Sequence, residues 1–252
     1  MKHVFLYVLY LIRSLLNPVF RFREVSVLAY HSISDDAKWT SVSKEAFSRH
    51  LALLKRRGYA FVPLSEVVVW QRGKGMLPQK VVAVTFDDGY ADFETVALPV
   101  LEEYKIPATL FIVEDRETYR RTLGTPLPML DAGAVERIRK HPLVELGYHT
   151  KTHPDLRTLS KEQLRDECTP LTPMSYFAYP GGNYSDEARQ MLAELGYEAA
   201  FSIKPEPVRK TQDPMLLPRP VVTRSTLDWE LCALVSVAST WYRTVRRTLR
   251  YG

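Results

Sequence analysis

Short β-rich runs alternate with helical runs along most of this chain, and that alternation constrains the fold more than any single motif. Val25–Tyr30 (VSVLAY) reads as a strand, followed by a helix over Ser43–Gly58, where Ser43 is placed to cap and Phe47, Leu51 and Leu54 recur at helical spacing. Strands are expected at Lys80–Phe86, Ala108–Val113, Val144–Gly147, Tyr176–Tyr179 and Glu198–Ile203. Between them the pattern predicts helices at Thr95–Tyr104, Ala134–Lys140, Lys161–Glu167 and Ser185–Leu195. Such β-α repetition argues for parallel strands joined by crossover helices. At 252 residues the chain suits one large α/β domain.

Four of these strands end in polar clusters: Tyr30-His31, Asp87-Asp88, His149-Thr150 and Tyr179-Pro180-Gly181-Gly182. In a β/α barrel the C-terminal strand ends converge on one face. In an open doubly wound sheet they meet at a crevice. Either arrangement brings the four clusters together.

The charge distribution narrows the partners. The formal net charge is +5, but residues 1–23 and 239–252 each carry four arginines or lysines and no acid. The remaining body holds 26 basic against 29 acidic residues, which does not favour nucleic acid binding. The basic ends instead point to an anionic surface such as a membrane. The run Val4–Ile12 is too short to span a bilayer, and no A-x-A-like cleavage site follows it. It fits a helix lying on a membrane or one packed on the domain. This divides the chain into an N-terminal segment 1–23, a domain 24–235 and a basic tail 236–252. The side of the membrane is left open. Cys168 and Cys232, far apart and without CxxC spacing, give neither a disulfide framework nor a cysteine zinc site.

The clusters themselves carry chemistry. His149 and His153, in H-T-K-T-H, share one face if the segment forms a helical turn, and can then grip one metal. Two imidazoles and one carboxylate make a common zinc set that leaves a position open for water. Adjacent Asp87 and Asp88 repel each other where a strand ends, and a cation would compensate them; a turn capped beside Gly89 is the alternative. If one aspartate binds metal, the other is free to take a proton from the activated water. In the Pro180-Gly181-Gly182 turn, either glycine amide could face an oxyanion. Trp229 would wall a small pocket or sit in the core.

TFDDG followed by H-T-x-x-H resembles the polysaccharide deacetylases, the NodB-type family of carbohydrate esterases (family four). YHSI, FDDGYADF, PATLFI, HTKTHPDL and FAYPGG occur in that family's order over roughly residues 25–225. The resemblance implies a distorted (β/α) barrel that removes N- or O-acetyl groups from sugars with a divalent metal. It implies Asp87 as base and Asp88, His149 and His153 as metal ligands, with zinc expected and cobalt or nickel acceptable.

Two departures matter. Many members carry an arginine before the Pro-Pro-Tyr-Gly turn; the matching residue here is Ala178, and Arg219 in LLPRPVV is the expected substitute, with an exposed loop arginine as the alternative. Many also use a late histidine as acid, yet no histidine follows His153. His31, the remaining histidine that directly follows a strand, is the expected acid; the poly-N-acetylglucosamine deacetylase-like members have a similar early Tyr-His. A structural histidine is the alternative. Gly181, Gly182, Tyr179 and Trp229 complete the expected substrate contacts. The partner is an N-acetylated sugar polymer or oligomer. A metal-dependent phosphoester hydrolase or glycosyltransferase and a catalytically silent carbohydrate-binding barrel are the rival readings.

Overall fold

The structure is a computed structural model that describes residues 23–36 and 38–236. The expectations of membrane contact at residues 1–23 and 236–252 fall almost wholly outside those residues. Among the described residues no helix is long and apolar enough to cross a membrane.

Seven parallel strands form one curled sheet: β1 (Glu24–Tyr30), β2 (Ala60–Phe61), β3 (Lys80–Phe86), β4 (Ala108–Ile112), β5 (Val144–Tyr148), β6 (Tyr176–Ala178) and β7 (Ala199–Phe201). They run in the order β1-β3-β4-β5-β6-β7, with β2 against the first half of β3. The helices are α1 (Lys44–Arg56), α2 (Leu64–Gln71), α3 (Leu98–Tyr104), α4 (Arg116–Leu123), α5 (Ala132–Arg139), α6 (Lys161–Cys168), α7 (Asp186–Glu194) and α8 (Asp228–Val235). Ser43 caps α1 by accepting from the Ala46 amide, as its position in the sequence predicts. The helix expected from Thr95 instead begins as a π-helical turn, Phe93–Ala97, that feeds α3.

The two edges of the sheet are bridged by an extended segment that reads as loop in the sequence because Pro218 and Pro220 flank Arg219. Leu217 pairs in parallel with Phe201 of β7, and Val221 with Ala29 of β1. Leu217 donates to the Ala200 carbonyl at 2.8 Å, and Ala29 donates to the Pro220 carbonyl at 2.9 Å. The ring of strands is thereby closed, giving the distorted barrel. Alternation along the strands divides the core into clusters, of which two hold β1 and β3. Leu28, Tyr30, Val82, Val84 and Phe86 meet α1, α3 and α5 outside. Val25, Val27, Val81, Ala83, Phe111, Phe201 and Leu217 form the second cluster with α2. Arg219 lies between the two edge pairings.

Candidate active site

The aspartate pair divides because the backbone turns between its members. Val81, Ala83 and Thr85 alternate along one face of β3, and Asp87 continues that column. Arg219 reaches it from the closing segment with two parallel bonds, Nη1 to Oδ1 at 2.5 Å and Nη2 to Oδ2 at 2.7 Å. The Nη1 group also donates to Thr85 Oγ1 at 3.0 Å. Arg219 is fully buried, so the exposed-loop alternative does not hold. Its guanidinium lies over the Phe111 ring, 5.0 Å from the centroid. Phe111 in turn occupies the space beside Gly147, where a Cβ would come within 2.4 Å of the ring. Burial alone would push the Asp87 carboxyl up; the guanidinium reverses this and holds it below the ordinary carboxylate value.

Asp88 takes a left-handed backbone (φ 75°) and leaves the strand's alternation. Its Oδ1 lies 3.5 Å from His149 Nε2 and 3.8 Å from His153 Nε2. His149 Nδ1 donates to the Ala178 carbonyl at 2.7 Å, so Nδ1 carries a proton and Nε2 is the atom that faces Asp88. The histidines do not share a helical turn, contrary to expectation. Thr150 (φ 70°) and His153 (φ 63°) are both left-handed, and the segment is an irregular loop. The His153 amide donates to Thr150 Oγ1 at 2.8 Å, and Glu167 accepts from the amides of Lys151 and Thr152 at 3.1 and 2.9 Å. The loop thus brings the imidazoles edge to face, centroids 4.8 Å apart.

The three side chains fit a metal ion. Their donor atoms all lie within 4.8 Å of one another. Two ligands of a tetrahedral zinc bound at about 2.0–2.1 Å sit roughly 3.3 Å apart, near the observed separations. Asp88 Oδ1 is buried and has no hydrogen-bond partner, a costly state that a cation would relieve. Burial opposes the Asp88 charge, but His149, His31 and His153 beside it hold the carboxyl well below its usual range. Burial lowers His149 too, yet Asp88 and Asp87 raise it above the ordinary value. Burial, aided by His149, pulls His153 down to about 4.

The remaining expected residues separate. His31 follows β1 with a buried, unpartnered Nδ1. Burial lowers its pKa while Asp88 and Asp87 oppose the shift. Gly181 is left-handed (φ 58°) in the turn after β6. The Gly182 amide is committed to that turn, donating to the Tyr179 carbonyl at 2.8 Å, so it is not available for an oxyanion. Tyr179 is also a correction: it is fully buried, and its hydroxyl donates to the Met215 carbonyl at 2.8 Å. Trp229 packs with Leu53 and the Cys232–Leu234 turn of α8, in the outer helical layer rather than the barrel interior. Two residues escaped the sequence reading. The hydroxyls of Tyr90 and Tyr119 bear on Asp88 and on each other, and the Tyr119 ring lies tilted against His153, centroids 4.8 Å apart. Lys38 donates to Tyr90, which sits two residues past Asp88 in the very motif that marked the site.

A parallel barrel with a buried Asp-His-His group and an arginine-paired aspartate at its strand ends defines a metal-assisted hydrolase of the carbohydrate esterase type. The model of the polysaccharide deacetylase family matches residues 74–200, and the chain belongs to that family. It is 25% identical over 219 residues to the poly-beta-1,6-N-acetyl-D-glucosamine N-deacetylase of Staphylococcus aureus, covering 79% of this chain and 73% of that one. Among solved structures, the fold is similar to that of the Streptococcus pyogenes deacetylase PplD in complex with acetate (TM-score 0.71, 24% identity, 84% of this chain and 98% of that one). It is also similar to IcaB from Ammonifex degensii (TM-score 0.72, 22% identity, 85% and 98%).

Proposed function

We propose that this chain is a metal-dependent deacetylase that removes acetyl groups from N-acetylated sugars of a polysaccharide or glycoconjugate, with Asp88, His149 and His153 holding a zinc ion. The observation that carries the reading is the unpartnered, buried Asp88 Oδ1, which faces two imidazole Nε2 atoms beside a separately compensated Asp87. Two nitrogens and one carboxylate favour zinc, and cobalt or nickel suit the same donors. The name of the Staphylococcus aureus relative supports an N-acetylated glucosamine polymer as substrate.

A bound divalent ion supplies Lewis acidity for the acetamide carbonyl and for water. The chain's own residues do the rest. Asp87, kept ionised and fixed by Arg219, takes the proton of the attacking water. The Gly181 amide faces the developing oxyanion; Gly182 holds the turn. His31 gives a proton to the leaving amine. Burial lowers the pKa of that imidazole, and for the step to balance the proton that Asp87 takes from water passes to His31. Water thus supplies both the hydroxyl of the acetate and the proton of the amine.

Acetate release from N-acetylglucosamine oligomers, measured with zinc-loaded and chelator-treated protein, tests this reading. Release that depends on metal is expected. Release indifferent to chelation, or none from any N-acetylated glycan, would overturn it.

A further inference from the structure

Asp92 lies outside the machinery above, yet it adds a side-chain link between the loop that bears His31 and the loop that bears the aspartate pair, beyond the backbone bond from the Asp87 amide to the Tyr30 carbonyl at 3.0 Å. It sits at the entrance of the π-helical turn, four residues past Asp88. Ser32, fully buried and next to His31, donates to Asp92 Oδ2 at 2.5 Å across 60 residues of sequence. Ser34 completes the network, 2.7 Å from Ser32 Oγ. Asp92 Oδ1 is buried with no hydrogen-bond partner. Burial pushes this carboxyl above its ordinary value, while the Ser32 hydroxyl and the Ile33 amide draw it back. A half-satisfied buried carboxyl costs stability, so its value lies in what it holds.

We propose that Asp92 is a positioning residue: through Ser32 it clamps the His31 loop to the Asp87-Asp88 loop and so sets the place from which His31 serves the leaving amine. The clamp matters because His31 Nδ1 has no hydrogen-bond partner of its own. An imidazole without such an anchor takes its position from its backbone, and here the adjacent residue is tied down by Asp92. The π-turn that follows is a local departure from helical geometry of the sort found at functional sites. The inference rests on His31 as the proton donor.

The test compares acetate release from an N-acetylglucosamine oligomer with hydrolysis of nitrophenyl acetate, whose leaving group needs no proton. Asp92→Ala is expected to lower the amide-to-ester ratio of kcat by about 10-fold or more, a part of the roughly 10²–10⁴ that a lost proton donor costs. Asp92→Asn, which keeps an acceptor for Ser32, should restore most of that ratio. Ser32→Ala removes the same link with less change in volume and serves if Asp92→Ala does not fold. The His31 ring resonances of metal-free protein, read by NMR, should shift in Asp92→Ala and return in Asp92→Asn. An equal loss on both substrates with unshifted His31 resonances would overturn the clamp. His31→Ala separates the two ideas: a ratio unmoved by His31→Ala removes the donor assignment and the inference with it, whereas a ratio moved by His31→Ala but not by Asp92→Ala or Ser32→Ala removes the clamp alone.

Discussion

Arg219 and Asp87 form a fully buried, two-bond ion pair although 132 residues separate them in sequence. The pair exists because the segment that closes the barrel passes directly between the last strand and the first. The side chain at its middle then meets the column of residues that ends at Asp87. At Ala178, before the Tyr179–Gly182 turn, it is the backbone carbonyl that meets the site, accepting from His149 Nδ1.

Removing the guanidinium should therefore act on both stability and pH dependence. Arg219→Ala leaves a buried carboxylate without its partner and is expected to cost about 3–5 kcal/mol in denaturant unfolding. Arg219→Lys retains charge without the fork and should cost less. In the wild type the Asp87 pKa is depressed, so the pair's stabilisation is present above the unfolded carboxylate pKa and fades as pH falls through the folded one. In Arg219→Lys that folded pKa rises, and the acidic limb of the pH–rate profile should move to higher pH. An unmoved limb would show that Arg219 does not set the ionisation of the base.

Gly147→Ala tests the floor under Arg219. The added Cβ would meet Phe111 Cδ1 at 2.4 Å and the Tyr176 carbonyl at 3.2 Å, so the ring must move. A loss of roughly 1–3 kcal/mol in stability is expected from such overpacking. Activity should fall further than stability explains, because the displaced ring supports Arg219. Wild-type turnover in the folded variant would contradict that support.

Metal binding should release a proton. His149 is raised above the ordinary imidazole value by Asp88 and Asp87, whereas His153 sits at about 4 and is already neutral near pH 7. Below the His149 pKa, zinc must displace the proton on Nε2, so apparent affinity falls as pH falls, by about tenfold per unit for one proton. Titration calorimetry in buffers of different ionisation enthalpy near pH 6 should give about one proton per ion. A value near two would mean that both histidines are charged in the free site.

Much of this was legible in the sequence, and the gaps have physical causes. The strands at Lys80–Phe86 and Ala108–Ile112 and the cap at Ser43 are local features, set by residues within a few positions of one another. Helix α2 was missed because LSEVVVWQ is apolar on nearly every side and shows no helical period; it is so because Leu64, Val67, Val68 and Trp70 are all buried in one cluster. Arg219 could be nominated as a substitute from its sequence, but its burial depends on edge pairings that no local pattern announces. The H-T-K-T-H spacing suggested a helical turn, and a loop with two left-handed residues achieves the same convergence instead. Tyr179 and Gly182 looked like substrate contacts because they sit in the motif turn, yet both are consumed in building it. Asp92, inside the motif itself, gave no signal without its partner on the first loop.

The division of labour between the paired aspartates is the centre of this account, and metal analysis of two variants alongside acetate release tests it most directly. Asp88→Asn should lose both bound zinc and turnover, since Oδ1 is the atom facing both imidazoles. Asp87→Asn should keep near-stoichiometric zinc while turnover falls by about 10²–10⁴, the loss expected for a missing base. Equal zinc loss in the two variants, or full zinc retention in Asp88→Asn, would contradict the account.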